Sequence, residues 1–224
     1  LKMNLSGLIK KVTDSAELTQ TDIELACALL LDGASPVEDR AAFLSALHRR
    51  RETPSEIAHF VEVLLGHAVQ LPFSGKARLD VCGTGGDRAG FFNISTAVMF
   101  VAAGAGASVV KHGNRGITSK SGGADVLEAL GVNINLPPDR ATAPLERAGC
   151  CFLFAPACHP AFKAVVPVRQ FLAQQGQASV FNIIGPLLNP VRPEFQLSGV
   201  FDPSLLATYA GVFQKLGRQR AWAV

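Results

Sequence analysis

Arg78-Leu79-Asp80-Val81-Cys82-Gly83-Thr84-Gly85-Gly86-Asp87 is the stretch whose reading decides the fold. A short apolar run leads into three glycines and a carboxylate, the pattern of a strand that ends in a tight turn before a helix. Glycines let backbone N–H groups approach a phosphate closely, and the start of the next helix adds partial positive charge. A strand-to-helix turn that binds nothing would use the same residues, so this stretch by itself leaves ligand binding open.

Downstream, apolar runs at 107–110, 151–155 and 196–201 alternate with longer helical stretches and Gly-rich turns. That is the rhythm of parallel strands joined by crossover helices. Pro137-Pro138 closes one such unit, and Gly185-Pro186 with Asn189-Pro190 marks a loop. Upstream the texture differs. Thr19 precedes Asp22, and Ser35-Pro36-Val37-Glu38 and Thr53-Pro54-Ser55-Glu56 read as capping boxes with proline at the first helical position. Between these signals Ile23, Ala26, Cys27 and Leu30, then Ile57, Phe60, Val61 and Leu64, recur at helical spacing and lay an apolar stripe along each helix. The expected fold class is α/β: a small helical domain over 1–70, then a mostly parallel-sheet domain with flanking helices over 75–224.

Composition narrows the function. The chain has 224 residues, 48% hydrophobic and 17% charged, enough apolar surface to build a core. A net charge of +3 gives no general field for nucleic acid or anionic membrane, so any anion site must be local. Cys27, Cys82, Cys150, Cys151 and Cys158 are odd in number, form no CxxC pair and sit in apolar stretches, which suits a reduced, cytoplasmic protein. Residues 1–11 lack an apolar signal region and the apolar run 97–110 is broken by Gly104 and Gly106, so neither export signal nor membrane span is expected.

Three further clusters carry chemistry. Asn93-Ile94-Ser95-Thr96 opens an apolar helix, placing an amide and two hydroxyls where N–H groups lack partners; capping explains one of them, not all three. Lys111-His112-Gly113-Asn114-Arg115 follows an apolar run, at the strand end where open α/β sheets bind ligands, although a solvated charged loop would read the same way. Ser119-Lys120-Ser121-Gly122-Gly123-Ala124-Asp125 then adds hydroxyls and glycines ahead of another helix, enough together for two phosphates.

GTGGD, FNIST, KHGNR, SKSGGADVLEALG, HPAFK and VFNIIGPLLNP, in this order and spacing, resemble the anthranilate phosphoribosyltransferase family of tryptophan biosynthesis over essentially the whole chain. The resemblance implies transfer of the 5-phosphoribosyl group of phosphoribosyl pyrophosphate to the amine of anthranilate. It places Gly83, Gly86, Asp87, Phe91, Asn93, Ile94, Ser95, Thr96, Lys111, His112, Gly113, Asn114, Arg115, Ser119 and Gly123 around the donor, with Ser95 as a ligand to Mg2+. It places Gly83, His112, Asn114, Pro156, His159, Phe162 and Arg169 at the anthranilate site, Arg169 being able to grip a carboxylate through two parallel hydrogen bonds. A homodimer through the N-terminal helices is implied as well. With no obvious nucleophile, catalysis would rest on positioning and on charge stabilisation of departing pyrophosphate, His112 at most helping with the amine proton.

The sequence departs from the family pattern in places. Phe91 stands where a phosphate-contacting Thr is usual, Arg88 where a Gly is, Gly123 where a Ser is, and Ala178 and Ser179 where an Arg-Thr pair is. Two lost hydroxyl contacts would weaken donor binding by roughly 1 kcal/mol each. Arg220-Ala221-Trp222-Ala223-Val224 resembles the strand that leads to the family's Asp-Glu magnesium ligands, so the chain reads as shortened at its C-terminus with Ser95 the one metal ligand retained. The alternatives are a family paralogue acting on another acceptor, which Arg169 and Asn114 argue should bear a carboxylate, a scaffold without a ligand, and a non-catalytic nucleic-acid-binding relative. Low net charge and the lack of a basic stripe interleaved with aromatics argue against the last.

Overall fold

The computed structural model describes residues 4–71, 73, 77–86, 92–116 and 121–224. The chain divides into two compact units, one made of the stretch up to His67 together with Ala161–Ile184, the other of Ala68–Pro160 and Gly185–Val224. The segment 161–184 lies within the stretch read from the sequence as α/β, yet its contacts place it with the helices.

In the first unit, α1 (Leu5–Thr13), α2 (Gln20–Leu31), α3 (Val37–Arg50) and α4 (Pro54–Gly66) follow one another. Thr53 forms the expected capping box with Glu56, and Thr19, read as a helix start, forms one with Asp22 as well. The box at Ser35 does not form: Pro36 itself occupies the N-cap position in an extended conformation, and no side chain caps α3. The apolar stripes meet in a core where Ile23, Leu30, Phe43, Leu44, Leu47, Ile57, Phe60 and Leu64 are fully buried, each worth about 1.5–3 kcal/mol relative to exposure. Glu56 ties the bundle together, its Oε1 accepting from Leu18 N at 2.8 Å and its Oε2 from Thr53 N at 2.9 Å while pairing with Arg50. The buried Arg40 donates to Leu30 O at 3.2 Å and to Ala164 O at 2.8 Å, which anchors the distant segment.

The second unit carries β1 (Arg78–Val81), α5 (Ile94–Gly104), β2 (Ser108–Gly113), α6 (Gly123–Ala129), the single turns α7 (Pro138–Ala141) and α8 (Pro144–Ala148), β3 (Cys150–Phe154) and α9 (Ala155–Cys158). The chain passes through α10 (Val166–Gln174) in the first unit, where it packs on α3. It then returns as β4 (Phe195–Ser198), α11 (Leu206–Lys215) and β5 (Arg220–Ala223). All five strands are parallel in the order β3-β2-β1-β4-β5. One face packs Val81, Val109 and Phe152 against Met99 of α5 and Leu127 of α6; the other gathers Val110, Cys151, Leu153, Cys158 and Val191. Burial of both faces explains why the strands read as continuous apolar runs. No helix among the described residues is long and apolar enough to cross a membrane.

Candidate active site

The sheet divides toward its C-terminal edge. Pairing of β1 with β2 comprises Arg78↔Ser108 and Leu79↔Val109, whereas β1 stays with β4 to Val81↔Leu197 and β2 with β3 to Gly113↔Phe154. Open α/β sheets hold ligands where strand order reverses, here between β1 and β4. That flank is closed: Thr84 N donates to Gly199 O at 2.9 Å and Phe201 N to Thr84 Oγ1 at 3.1 Å. A Cβ on Gly83 would lie 3.2 Å from Gly199 O, so this close approach depends on glycine. The opening lies on the other flank of β1. Above it the turn continues through Gly85 and Gly86 with φ of +69° and +83°, conformations that only glycine adopts cheaply.

Helix α5 packs on β1 and β2. Asn93 is its N-cap, the side-chain oxygen accepting from Thr96 N at 3.0 Å, so one of the three polar groups is accounted for by capping. Ser95 is half-buried and Thr96 buried, and Thr96 Oγ1 has no partner among the described residues. The first turn of α6 comes close: a Cβ on Gly123 would sit 3.2 Å from Thr96 Oγ1 and 3.3 Å from Lys111 Cε. Gly123 thus leaves the space around that hydroxyl and that cation open. Ile94, at the head of α5, is exposed.

Strand β2 extends through Lys111, His112 and Gly113, so these are strand residues whose side chains alternate between the two faces. Lys111 is buried on the α5 side with Nζ 2.5 Å from Val81 O. His112 points the other way, and burial holds its imidazole neutral, pushed down to about 3 with the neighbouring His159 and Lys111 adding to the effect. The two imidazoles meet edge to face at 5.3 Å, and His159 Nε2 lies 2.8 Å from Leu188 O. Beyond the strand, Asn114 O accepts from Ala124 N at 3.2 Å, and any Cβ on Gly122 would collide with Asn114 O and Gly116 N at 2.4 Å. Asp125 accepts from Gly116 N at 2.8 Å and Gly122 N at 2.7 Å, which draws the turn onto the start of α6. Arg115 is engaged already, pairing with Asp125 at 3.0 Å and Glu128 at 2.7 Å.

Of the expected donor residues, Gly83, Gly86, Asn93, Ser95, Thr96, Asn114 and Gly123 belong to turns and helix starts and Lys111 to β2, with Gly123 lying against Thr96 and Lys111. Asp87, Phe91 and Ser119 lie outside the described residues. The expected acceptor residues divide between the units: Gly83, His112, Asn114, Pro156 and His159 belong to the second, Phe162 and Arg169 to the first. Phe162 stacks edge-on against Phe181 with centroids 6.1 Å apart. Arg169, on α10, is half-buried, and that burial lowers its pKa. Among the described residues no three His, Cys, Asp or Glu side chains converge as a metal site. Sequence reasoning missed the buried polar residues Asp80, Asn189, Gln196 and Ser198. Their signal was a polar residue inside an otherwise apolar buried strand, or inside the GPLLNP motif.

Comparison with known proteins agrees with this architecture. Residues 75–224 match the family model described as glycosyl transferase family, a/b domain, and residues 6–68 match its helical bundle domain. Anthranilate phosphoribosyltransferase of Syntrophomonas wolfei is 47% identical over 216 residues, covering 96% of this chain and 62% of that protein. The enzyme of the same name from Ignicoccus hospitalis is 45% identical, covering 99% and 64%. The crystal structure of anthranilate phosphoribosyltransferase from Thermus thermophilus superposes with a TM-score of 0.86 at 40% identity, over 94% of this chain and 63% of that one. The Saccharomyces cerevisiae enzyme in complex with phosphoribosyl pyrophosphate and Mg gives 0.80 at 29% identity, over 96% and 64%. The chain therefore spans somewhat under two thirds of the length of these relatives. With a helical bundle and an α/β domain both matched in order along nearly its whole length, the chain belongs to this glycosyl transferase family.

Proposed function

We propose that the protein transfers the 5-phosphoribosyl group of phosphoribosyl pyrophosphate to the amine of anthranilate, releasing pyrophosphate, as a step of tryptophan biosynthesis. The observation that carries this reading is the divided edge of the sheet, where Lys111 reaches Val81 O and Gly123 leaves space around Lys111 and the Thr96 hydroxyl, which has no partner among the described residues. Unpaired N–H groups at a helix start, close-approaching glycines and a cation suit a diphosphate better than a neutral ligand. The relatives' names supply the acceptor. Arg169, half-buried without an ion pair among the described residues, is the group suited to its carboxylate.

Mg2+ fits this site only in company. Ser95 offers a single hydroxyl oxygen at a helix N-terminus, whose partial charge favours an anion over a bare cation. Magnesium commonly keeps waters and phosphate oxygens alongside one or two protein ligands, so Ser95 would complete the shell of a diphosphate-bound ion. When bound, the ion supplies charge neutralisation to departing pyrophosphate. The chain's own residues hold the donor by its phosphates while the acceptor amine forms the new bond to the anomeric carbon and the bond to pyrophosphate oxygen breaks. The amine proton leaves to solvent, because His112, neutral and held down near 3, is too weak a base to retain it. We place the enzyme in the cytoplasm as a homodimer, readings supported by resemblance.

The test is calorimetric titration with phosphoribosyl pyrophosphate and Mg2+, then consumption of anthranilate followed by its fluorescence. Binding that needs the donor's pyrophosphate group is the expected result. Heats indistinguishable from dilution would overturn the phosphate site, and donor binding without anthranilate consumption would overturn the acceptor.

A further inference from the structure

Where β1 and β2 part, the backbone is not left frayed. One more parallel rung beyond Leu79↔Val109 would take Val110 O and His112 N of β2 to the backbone of Val81. Val110 O, His112 N and Val81 O each meet a side chain instead. Asn189 Nδ2 donates to Val110 O at 2.8 Å, His112 N donates to Asp80 Oδ1 at 3.1 Å, and Lys111 Nζ donates to Val81 O at 2.5 Å. Asp80 and Asn189 are both fully buried. Buried backbone groups must be paired, and an unpaired one costs about 1–3 kcal/mol, so a sheet that opens here needs substitutes for the missing rung.

We propose that Asp80 and Asn189, together with Lys111, form a wedge that replaces one rung of the β1–β2 ladder and so fixes the gap in which the donor's phosphates are held. Asp80 and Asn189 are positioning residues. They act through Val110 and His112 and thereby set where Gly113 and Asn114 leave the sheet. The role needs an acceptor at 80 and a donor at 189, and Asp80 needs no charge for it. The identity of the ligand rests on the reading of the preceding subsection; the wedge itself does not.

Amide hydrogen exchange of the ligand-free full chain, paired with calorimetric titration of phosphoribosyl pyrophosphate and Mg2+, tests it on Asp80→Leu, Asp80→Asn and Asn189→Ala. Asp80→Leu should speed exchange at His112 N by at least about tenfold and weaken donor binding by about tenfold, while Asp80→Asn, which keeps an acceptor oxygen, should restore both to within about twofold. If Asp80→Leu does not fold, Asn189→Ala carries the same expectation for donor affinity. Unchanged exchange at His112, or loss of affinity in Asp80→Asn equal to that in Asp80→Leu, would overturn the wedge. If the parent chain binds no donor, the phosphate-site reading falls and exchange at His112 alone decides the wedge.

Discussion

Replacing Asp80 by Asn should make the protein more stable at neutral pH, and the gain should disappear in acid. Burial pushes the Asp80 carboxyl from 3.8 up to about 6, with Lys111, Asn189, His112 N–H and Arg218 opposing that rise incompletely. Two pKa units at about 1.4 kcal/mol each amount to a penalty of about 3 kcal/mol for keeping the group ionised in the fold. Because the folded value lies above the unfolded one, the folded state holds the extra proton between about pH 4 and 6. Stability from this group is therefore complete below about pH 4 and lost as pH rises through 6. An asparagine cannot ionise, so the difference between variant and parent should climb by about 3 kcal/mol from pH 4 to pH 7 and then level off. Any constant offset reports the cost of the unpaired amide nitrogen.

The comparison must be a difference. His112, held down near 3, pulls the parent's own curve the opposite way, losing stability as pH falls below 6.5. Cys82, just past the end of β1, and Cys151 on β3 also interact with Asp80, but burial pushes both thiols up to about 12, so they stay protonated throughout the range. Urea unfolding at pH 4, 5, 6, 7 and 8, followed by circular dichroism and by the single tryptophan, Trp222 of β5, supplies the curve. A difference that does not change with pH would refute the reasoning.

Three other outcomes are expected. Glu56→Ala should destabilise the helical unit by about 3–5 kcal/mol in urea unfolding, since it strands Arg50 and the Leu18 and Thr53 amides; Glu56→Gln should lose less. Gly122→Ala should cut donor affinity about tenfold or more in calorimetry with sheet content intact by circular dichroism, because its methyl would sit 2.4 Å from Asn114 O and force that turn away. Arg169→Lys should raise KM for anthranilate about tenfold in steady-state assay and leave KM for the donor unchanged, as a point charge replaces a two-pronged grip.

The α/β architecture was legible because each strand is an apolar run bounded by glycines, and the helix starts at Thr19 and Thr53 because each has an acidic partner three residues on. Ser35-Pro36 misled, since a proline in extended conformation serves as N-cap just as well as it serves one position later. The Gly-rich turn after β1 and the polar start of α5 were legible through local motifs. The wedge was not: Asp80 and Asn189 are 109 positions apart, and nothing local shows that one polar side chain in a strand and another in a loop meet the same broken rung. Nor does sequence periodicity tell that 161–184 joins the helices. The contacts that join them, such as the packing of α10 on α3 and the reach of buried Arg40 to Ala164 O across 124 positions, leave no local trace.

That long reach bears on how the chain is made. The face of α3 that receives α10 is translated early, and its covering segment only after the roughly ninety residues from Ala68 to Pro160 have been added. At about 5–20 residues per second on the ribosome, the four N-terminal helices wait on the order of 5–20 s with that face bare. They emerge as an unfinished bundle, open to chaperones and to wrong partners, and it is the last insertion of α10 that completes them.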